Sequence, residues 1–175
     1  MNFIITCQRN LEDETIQEIQ ALFDEFGDSS LEVKKTKFSG IVEVSTHLEI
    51  FEVIKKIREK ISEEPWSIRF CSRIIPIQKQ CDSEMESIKE NVKKMISCIM
   101  ENQSYRITIE KRDSTLKSKE IISEIADLIP NKVSLEHSDW EIIIQIMSKI
   151  TGISILPRNS ILSISKEKRF DSNQY

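Results

Sequence analysis

Residues 105–115 read YRITIEKRDST, and the pattern they begin organises the second half of the chain. Over 105–110 the residues Tyr105, Ile107 and Ile109 alternate with Arg106, Thr108 and Glu110, the period of a strand with one apolar face. Lys111 and Arg112 end that strand and enter a polar, basic loop that runs to Ser118. Ile121, Ile122, Ile125, Leu128 and Ile129 then recur at helical steps, which predicts a helix over 117–129 broken by Pro130-Asn131. Short strands are predicted at 132–136, 139–147 and 150–156, with a final one from Ile161 to Ile164. Residues 167–175 (EKRFDSNQY) read as a frayed tail. Upstream, 77–82 reads as a connector, and Ser83 with Glu86 has capping-box spacing. The helix it opens buries Met85, Ile88, Val92, Met95 or Ile96, and Ile99.

The first half has a different order. Residues 2–8 are apolar and β-prone, and Asn10 is placed to cap a helix carrying Ile16, Ile19, Phe23 and Phe26. Gly27 sits where a helix C-terminus favours glycine. Strands are predicted at 31–37 and 40–45 around a Ser39-Gly40 turn. Thr46 and Glu49 suggest a capping box for a second helix with Leu48, Phe51, Ile54, Ile57 and Ile61 on its core stripe, stopped by Pro65. Residues 67–75 form the next strand, ended by Pro76. The order βαββαβ is the ferredoxin-like arrangement. The expected fold class is therefore α+β passing into α/β: an N-terminal ferredoxin-like domain over 1–76, an α/β domain over 77–166, and a flexible tail over 167–175.

Composition sets bounds on function. The chain has 175 residues, 39% hydrophobic and 31% charged, a soluble globular profile. Its longest apolar runs fall far short of the ~20 residues that cross a bilayer, and its start lacks a signal-peptide pattern, so a cytoplasmic protein with no membrane association is expected. Cys7, Cys71, Cys81 and Cys98 form no CxxC pair and read as buried or free thiols. The net charge of −4 is unevenly spread: residues 1–75 carry 10 basic and 14 acidic side chains, whereas 142–175 carry 5 and 2. Local potential, not total charge, decides where an anion docks.

No catalytic constellation emerges. His47 and His137 lack metal-ligand spacing, and Gly27, Gly40 and Gly152 cannot build a phosphate-cradling loop. His137 and Asp139 read as turn chemistry, and Trp66 and Trp140 as packing residues. The expectation is a protein that is not an enzyme, with no cofactor and no metal.

Taken together, RIIPI (73–77), YRITIEKRDST (105–115), the helix over 117–129 and KVSLEHSDWEIIIQIMSKITGISIL (132–156) resemble a THUMP domain preceded by its N-terminal ferredoxin-like domain. The resemblance is to the stand-alone type related to the adaptor for N4-acetylcytidine formation in tRNA. One departure is Ser138-Asp139, where the family usually has proline before the aspartate. The resemblance implies binding of structured RNA, mainly the tRNA acceptor stem and 3′ end, on behalf of a separate modifying enzyme such as a cytidine acetyltransferase. No modifying module follows the THUMP-like stretch before Tyr175, so the non-catalytic members are the ones it resembles. The candidate RNA contacts are Lys111, Arg112, Lys117, Lys119, Arg158 and Asn159, expected to converge on one rim, with Arg69 and Arg73 as further cations. The alternative is a protein-interaction or regulatory module with no direct RNA role, its acidic first half (Asp24, Glu25, Asp28, Glu63, Glu64) facing a partner protein.

Overall fold

A computed structural model describes residues 1–172. In chain order its elements are β1 (Phe3–Cys7), α1 (Glu12–Glu25), β2 (Glu32–Lys35), β3 (Ile41–Ser45), α2 (Ile50–Glu63), β4 (Cys71–Pro76), β5 (Lys79–Asp82), α3 (Met85–Met95), β6 (Tyr105–Arg112), α4 (Ser118–Ala126), β7 (Trp140–Met147), β8 (Ile150–Pro157), β9 (Leu162–Ser163) and α5 (Ile164–Ser172). The chain divides into two compact units, Met1–Pro76 together with the chain from Asn159 onward, and Ile77–Arg158. Each unit has its own sheet, so the fold is mixed α/β with two sheets and five α-helices among the described residues.

The first unit is an antiparallel sheet in the order β2-β3-β1-β4-β9. Phe3 and Ile5 of β1, Val42 and Val44 of β3 and Ile74 of β4 meet Ile19, Leu22 and Phe23 of α1 and Val53, Ile57 and Ile61 of α2 in one core. Burying each such side chain is worth about 1.5–3 kcal/mol. The helix ends differ in part from the sequence reading. Asn10 does not cap α1; it adopts φ 68°, and Leu11 holds the cap position without a side-chain bond. Gly27, at φ 85°, ends α1 as expected: its N–H reaches the Asp24 carbonyl while that of Asp28 reaches Phe23. Glu49 itself caps α2, accepting from the N–H groups of Phe51 and Glu52, and Thr46 instead donates to the buried Asp28 carboxylate. Phe51 is 46% exposed, and Val53 takes its expected place in the core. The strand expected from residue 67 begins at Cys71. Before it, the Glu18 carboxylate on α1 collects the N–H groups of Arg69, Phe70 and Cys71 and holds that backbone off the sheet. Trp66, in the same connection, is 65% exposed and does not pack as expected.

The described residues from Asn159 onward also belong to this unit. The expected division placed 77–166 in the second domain, but β9 pairs antiparallel with β4, Leu162 opposite Ile74, and Leu162 and Ile164 are buried in the first unit's core. Residues 167–172 of the expected tail continue α5, where Lys168 donates to the carbonyl of Ile68. Residues 173–175 of that tail lie outside the described residues.

The second unit is a sheet in the order β5-β8-β7-β6, with β6 and β7 parallel and the other pairs antiparallel. The expected connector at 77–82 contains a strand, β5, which the polar sequence KQCD concealed because an edge strand pairs through its backbone. Ser83 does not cap α3; its hydroxyl meets that of Thr151 at 2.9 Å. Residues 132–136 form no strand, only a bridge from Val133 to Tyr105. β6 runs two residues further than its alternation, to Arg112. One face of β6, β7 and β8 presents Tyr105, Ile142, Ile144, Ile146, Ile153 and Ile155 to Ile88 and Val92 of α3 and Ile121 and Ile125 of α4. β6, α4 and β7 thus form a strand–helix–strand crossover, the connection that parallel neighbours require.

Candidate nucleic-acid interface

The parallel register of β6 and β7 decides where the expected RNA contacts lie. Arg112 is opposite Met147 at the finishing ends of both strands, and Tyr105 is opposite Trp140 at their starts. At the finishing end the chain leaves β6, crosses a loop and enters α4. Lys111 donates to the Leu116 carbonyl at 2.7 Å and draws that loop to the strand end. Lys117 occupies the N-cap position of α4, and Lys119 lies in its exposed first turn. No side chain caps the helix, so its first N–H groups stay available to an anion. Lys117 meets Glu120 at 2.9 Å with its side chain 75% exposed; the carboxylate bond raises the lysine pKa and keeps it charged. Lys149, one of the five basic residues of 142–175 but not among the expected contacts, joins this end from the β7–β8 turn. The turn is fastened by the Ser148 N–H on the Arg112 carbonyl at 2.9 Å. The signal was present in Ser148-Lys149 between two strands, but only the register shows which strand end the turn abuts.

Arg112 has a different role from its neighbours. Its guanidinium donates to Gln145 Oε1 at 3.1 Å and to the Glu110 carboxylate at 2.9 Å, and its side chain is 21% exposed. Gln145 is fully buried on β7 and its amide nitrogen has no partner among the described residues, so the arginine supplies that side chain's polar contact. Arg112 fastens the edge strand to its neighbour and offers only part of its charge outward.

Arg158 is not on this rim. Its N–H donates to the carbonyl of Asp139, just before β7 begins, and its guanidinium stands 3.3 Å from His137 Nδ1. The eight residues of β7 separate it from Arg112, about 23 Å at strand rise. Asn159, at φ 67°, belongs to the first unit, where its carbonyl accepts from Arg58. The six expected contacts therefore fall into one group, Lys111, Arg112, Lys117 and Lys119, and two outliers. Arg69 and Arg73 share no strand face: Arg69 precedes β4 and donates to the Trp66 carbonyl, while Arg73 pairs within β4.

The His137–Asp139 segment is structural. Asp139 accepts the Ser104 N–H at 2.7 Å and its hydroxyl at 2.8 Å, and these bonds, the backbone one foremost, hold the carboxyl below the usual aspartate range. Trp140 donates its ring N–H to Gln103 at 2.8 Å. Ser138, the departure from the resembled pattern, is buried there. Among the described residues no three of His, Cys, Asp and Glu group as a metal site, and no helix is long and apolar enough to cross a membrane.

The family model of the THUMP domain matches residues 82–156, so the second unit carries a THUMP domain from the end of β5 almost to the end of β8. No curated protein matches the chain by sequence. Among solved structures the chain is similar to PH1313 from Pyrococcus horikoshii Ot3, with TM-score 0.65 and 16% identity over 90% of this chain and 55% of that one. It is also similar to TrmN from Thermus thermophilus, with TM-score 0.58 and 11% identity over 89% and 45%. A possible methylase from Clostridium difficile 630 aligns with TM-score 0.57 and 18% identity over 88% and 40%. The chain spans about half the length of these structures or less, and what it shares with them is the fold.

Proposed function

We propose that this chain is a tRNA-binding adaptor that acts without catalysing a reaction itself. Its THUMP domain holds structured RNA, chiefly the acceptor stem and 3′ end of tRNA, and presents it in the cytoplasm to a separate modifying enzyme, a cytidine acetyltransferase that forms N4-acetylcytidine. The observation that carries the reading is the THUMP match over 82–156, in the unit that brings Lys111, Lys117, Lys119 and Lys149 to one end of its sheet beside an uncapped helix N-terminus. Helical RNA is recognised through its shape, phosphates and 2′-hydroxyls, which calls for cations and donors on a rigid edge and not for a catalytic cleft. The first unit is taken to be the ferredoxin-like partner domain; its helix order and the strand order β2-β3-β1-β4 support that assignment.

The test is a fluorescence-anisotropy titration of labelled total tRNA, at low and near-physiological salt, against duplex DNA of equal length. Micromolar or tighter binding that prefers tRNA and weakens with salt is expected. Binding no stronger than to DNA at both salts refutes the RNA role and returns the chain to a protein-interaction module. Acetylation of tRNA by the purified chain without a second protein refutes the adaptor assignment.

A further inference from the structure

Two of the four cysteines, 64 positions apart in sequence, are direct neighbours across the first unit's sheet. Cys7 ends β1, Cys71 begins β4, and the antiparallel register sets them opposite each other. Opposed residues on antiparallel strands have Cα atoms about 4.5–5.5 Å apart, inside the 4.4–6.8 Å range of disulfides. Both thiols are free, and both interact with residues of α1. Cys71 is buried in the core that α1 covers and interacts with Glu18, while Cys7 bonds to the side chain of Thr15, one helical turn earlier on α1. The register shifts between Thr6 and Cys7, so the pair sits at an irregularity of the ladder, where the backbone is less constrained than in a regular stretch.

We propose that Cys7 and Cys71 form a reversible disulfide, making this strand pair a thiol-oxidation site. The co-reactant is a small-molecule disulfide such as oxidised glutathione. Cys7 is half-buried and is the thiol a reagent reaches first, whereas Cys71 is enclosed. The Cys7 thiol loses its proton to solvent, and its sulfur attacks the small disulfide; one S–S bond breaks, a mixed disulfide forms and one thiolate leaves. The Cys71 sulfur, after losing its own proton, then attacks the Cys7 sulfur and expels the second thiolate. Two protein thiols are oxidised, one small disulfide is reduced to two thiols, and no other electron carrier is needed. Burial raises the pKa of both cysteines, and the charge of Glu18 adds to the effect at Cys71, so the exchange is slow at neutral pH and faster in mild alkali. The bridge would close α1, β2, β3 and α2 into one covalent loop and tie an inner strand of the sheet to its neighbour.

The full chain is equilibrated with mixtures of reduced and oxidised glutathione, alkylated, and digested with trypsin. Cleavage at Arg9, Arg69 and Arg73 places Cys7 in residues 1–9 and Cys71 in residues 70–73. The expected product is these two peptides joined, lighter than their sum by two hydrogens, with Cys81 and Cys98 alkylated. The Cys71→Ser variant should stop at Cys7 bearing glutathione. In concentrated urea the preference should disappear in favour of the cysteines closest in sequence, because only the folded register opposes Cys7 and Cys71. Alkylation of all four cysteines at every glutathione ratio overturns the proposal, as does a native product that stops at glutathionylated Cys7 or joins any other pair.

Discussion

The geometry of the second unit makes a residue-resolved forecast for RNA binding. Replacing Lys111, Lys117 and Lys119 together by alanine removes three cations from the finishing end of β6 and the start of α4, whereas Arg158→Ala removes one at the other end of β7, about 23 Å away. Each phosphate contact contributes about 0.7–0.9 to the slope of log affinity against log salt, so the triple variant should flatten that slope by roughly 2–2.7. Over a fourfold salt range such a loss corresponds to about a 15- to 40-fold smaller change in affinity. The three lysines lie at exposed positions, so folding stability should move by no more than about 0.5 kcal/mol each for Lys117 and Lys119, and by about 0.5–1.5 kcal/mol for Lys111, whose bond to the Leu116 carbonyl is lost. The assay is an anisotropy titration with tRNA at four or more salt concentrations, with urea unfolding as the control. A triple variant that keeps the wild-type slope refutes the assignment of this rim. An Arg158→Ala variant that loses as much slope as the triple refutes the separation of the two ends.

Other substitutions probe the scaffold. Arg112→Ala should cost about 1–3 kcal/mol in urea unfolding, because it strips the buried Gln145 of its polar contact; Arg112→Lys should recover only part of this, since the planar guanidinium reaches Gln145 and Glu110 from two separate nitrogens and the single ammonium has no such fork. Leu162→Ala should cost about 2–5 kcal/mol and increase hydrogen exchange in β4, whereas no change in β4 would contradict the return of the chain's end to the first unit. Asp28 is buried, which raises its pKa, but bonds from Thr46 and Ser30 and the nearby His47 outweigh burial and hold the carboxyl below its ordinary value of 3.8. Its contribution to stability is therefore full above that value and is lost as pH falls through the lower folded one; Asp28→Asn should flatten the acid limb of the stability curve. Gly40→Ala should cost more than about 1 kcal/mol by thermal unfolding, since Gly40 has φ 75° and a Cβ there would lie 2.8 Å from the Cys7 carbonyl.

Much of the architecture was legible because burial leaves a periodic trace. The alternation of Tyr105, Ile107 and Ile109 marked β6, and Ile54, Ile57 and Ile61 marked α2, because one face of each element is dry. Gly27 was readable because the αL conformation it adopts strongly favours glycine. Polar signals were less dependable. Asn10, Thr46 and Ser83 all carry capping chemistry, yet none caps the helix it precedes, since a short polar side chain bonds whichever group the fold brings near. The edge strand β5 has almost no apolar content and left no pattern at all. Glu18 was one carboxylate among many on helix faces until the connection before β4 folded over it.

For the basic rim, the sequence by itself determined the residue types and their local setting: a strand ending in Lys111-Arg112, a polar loop, and a helix opening at Lys117 and Lys119. It also carried the THUMP resemblance over the part that the family model matches. Which cations share a surface was decided only by the tertiary structure. Parallel pairing of β6 with β7 sends Arg158 to the far end of the sheet and brings Lys149 to the near one, and buried Gln145 turns Arg112 inward. The physical reason is that pairing direction and register join residues far apart in sequence through backbone hydrogen bonds, and those bonds are the same whatever side chains the strands carry.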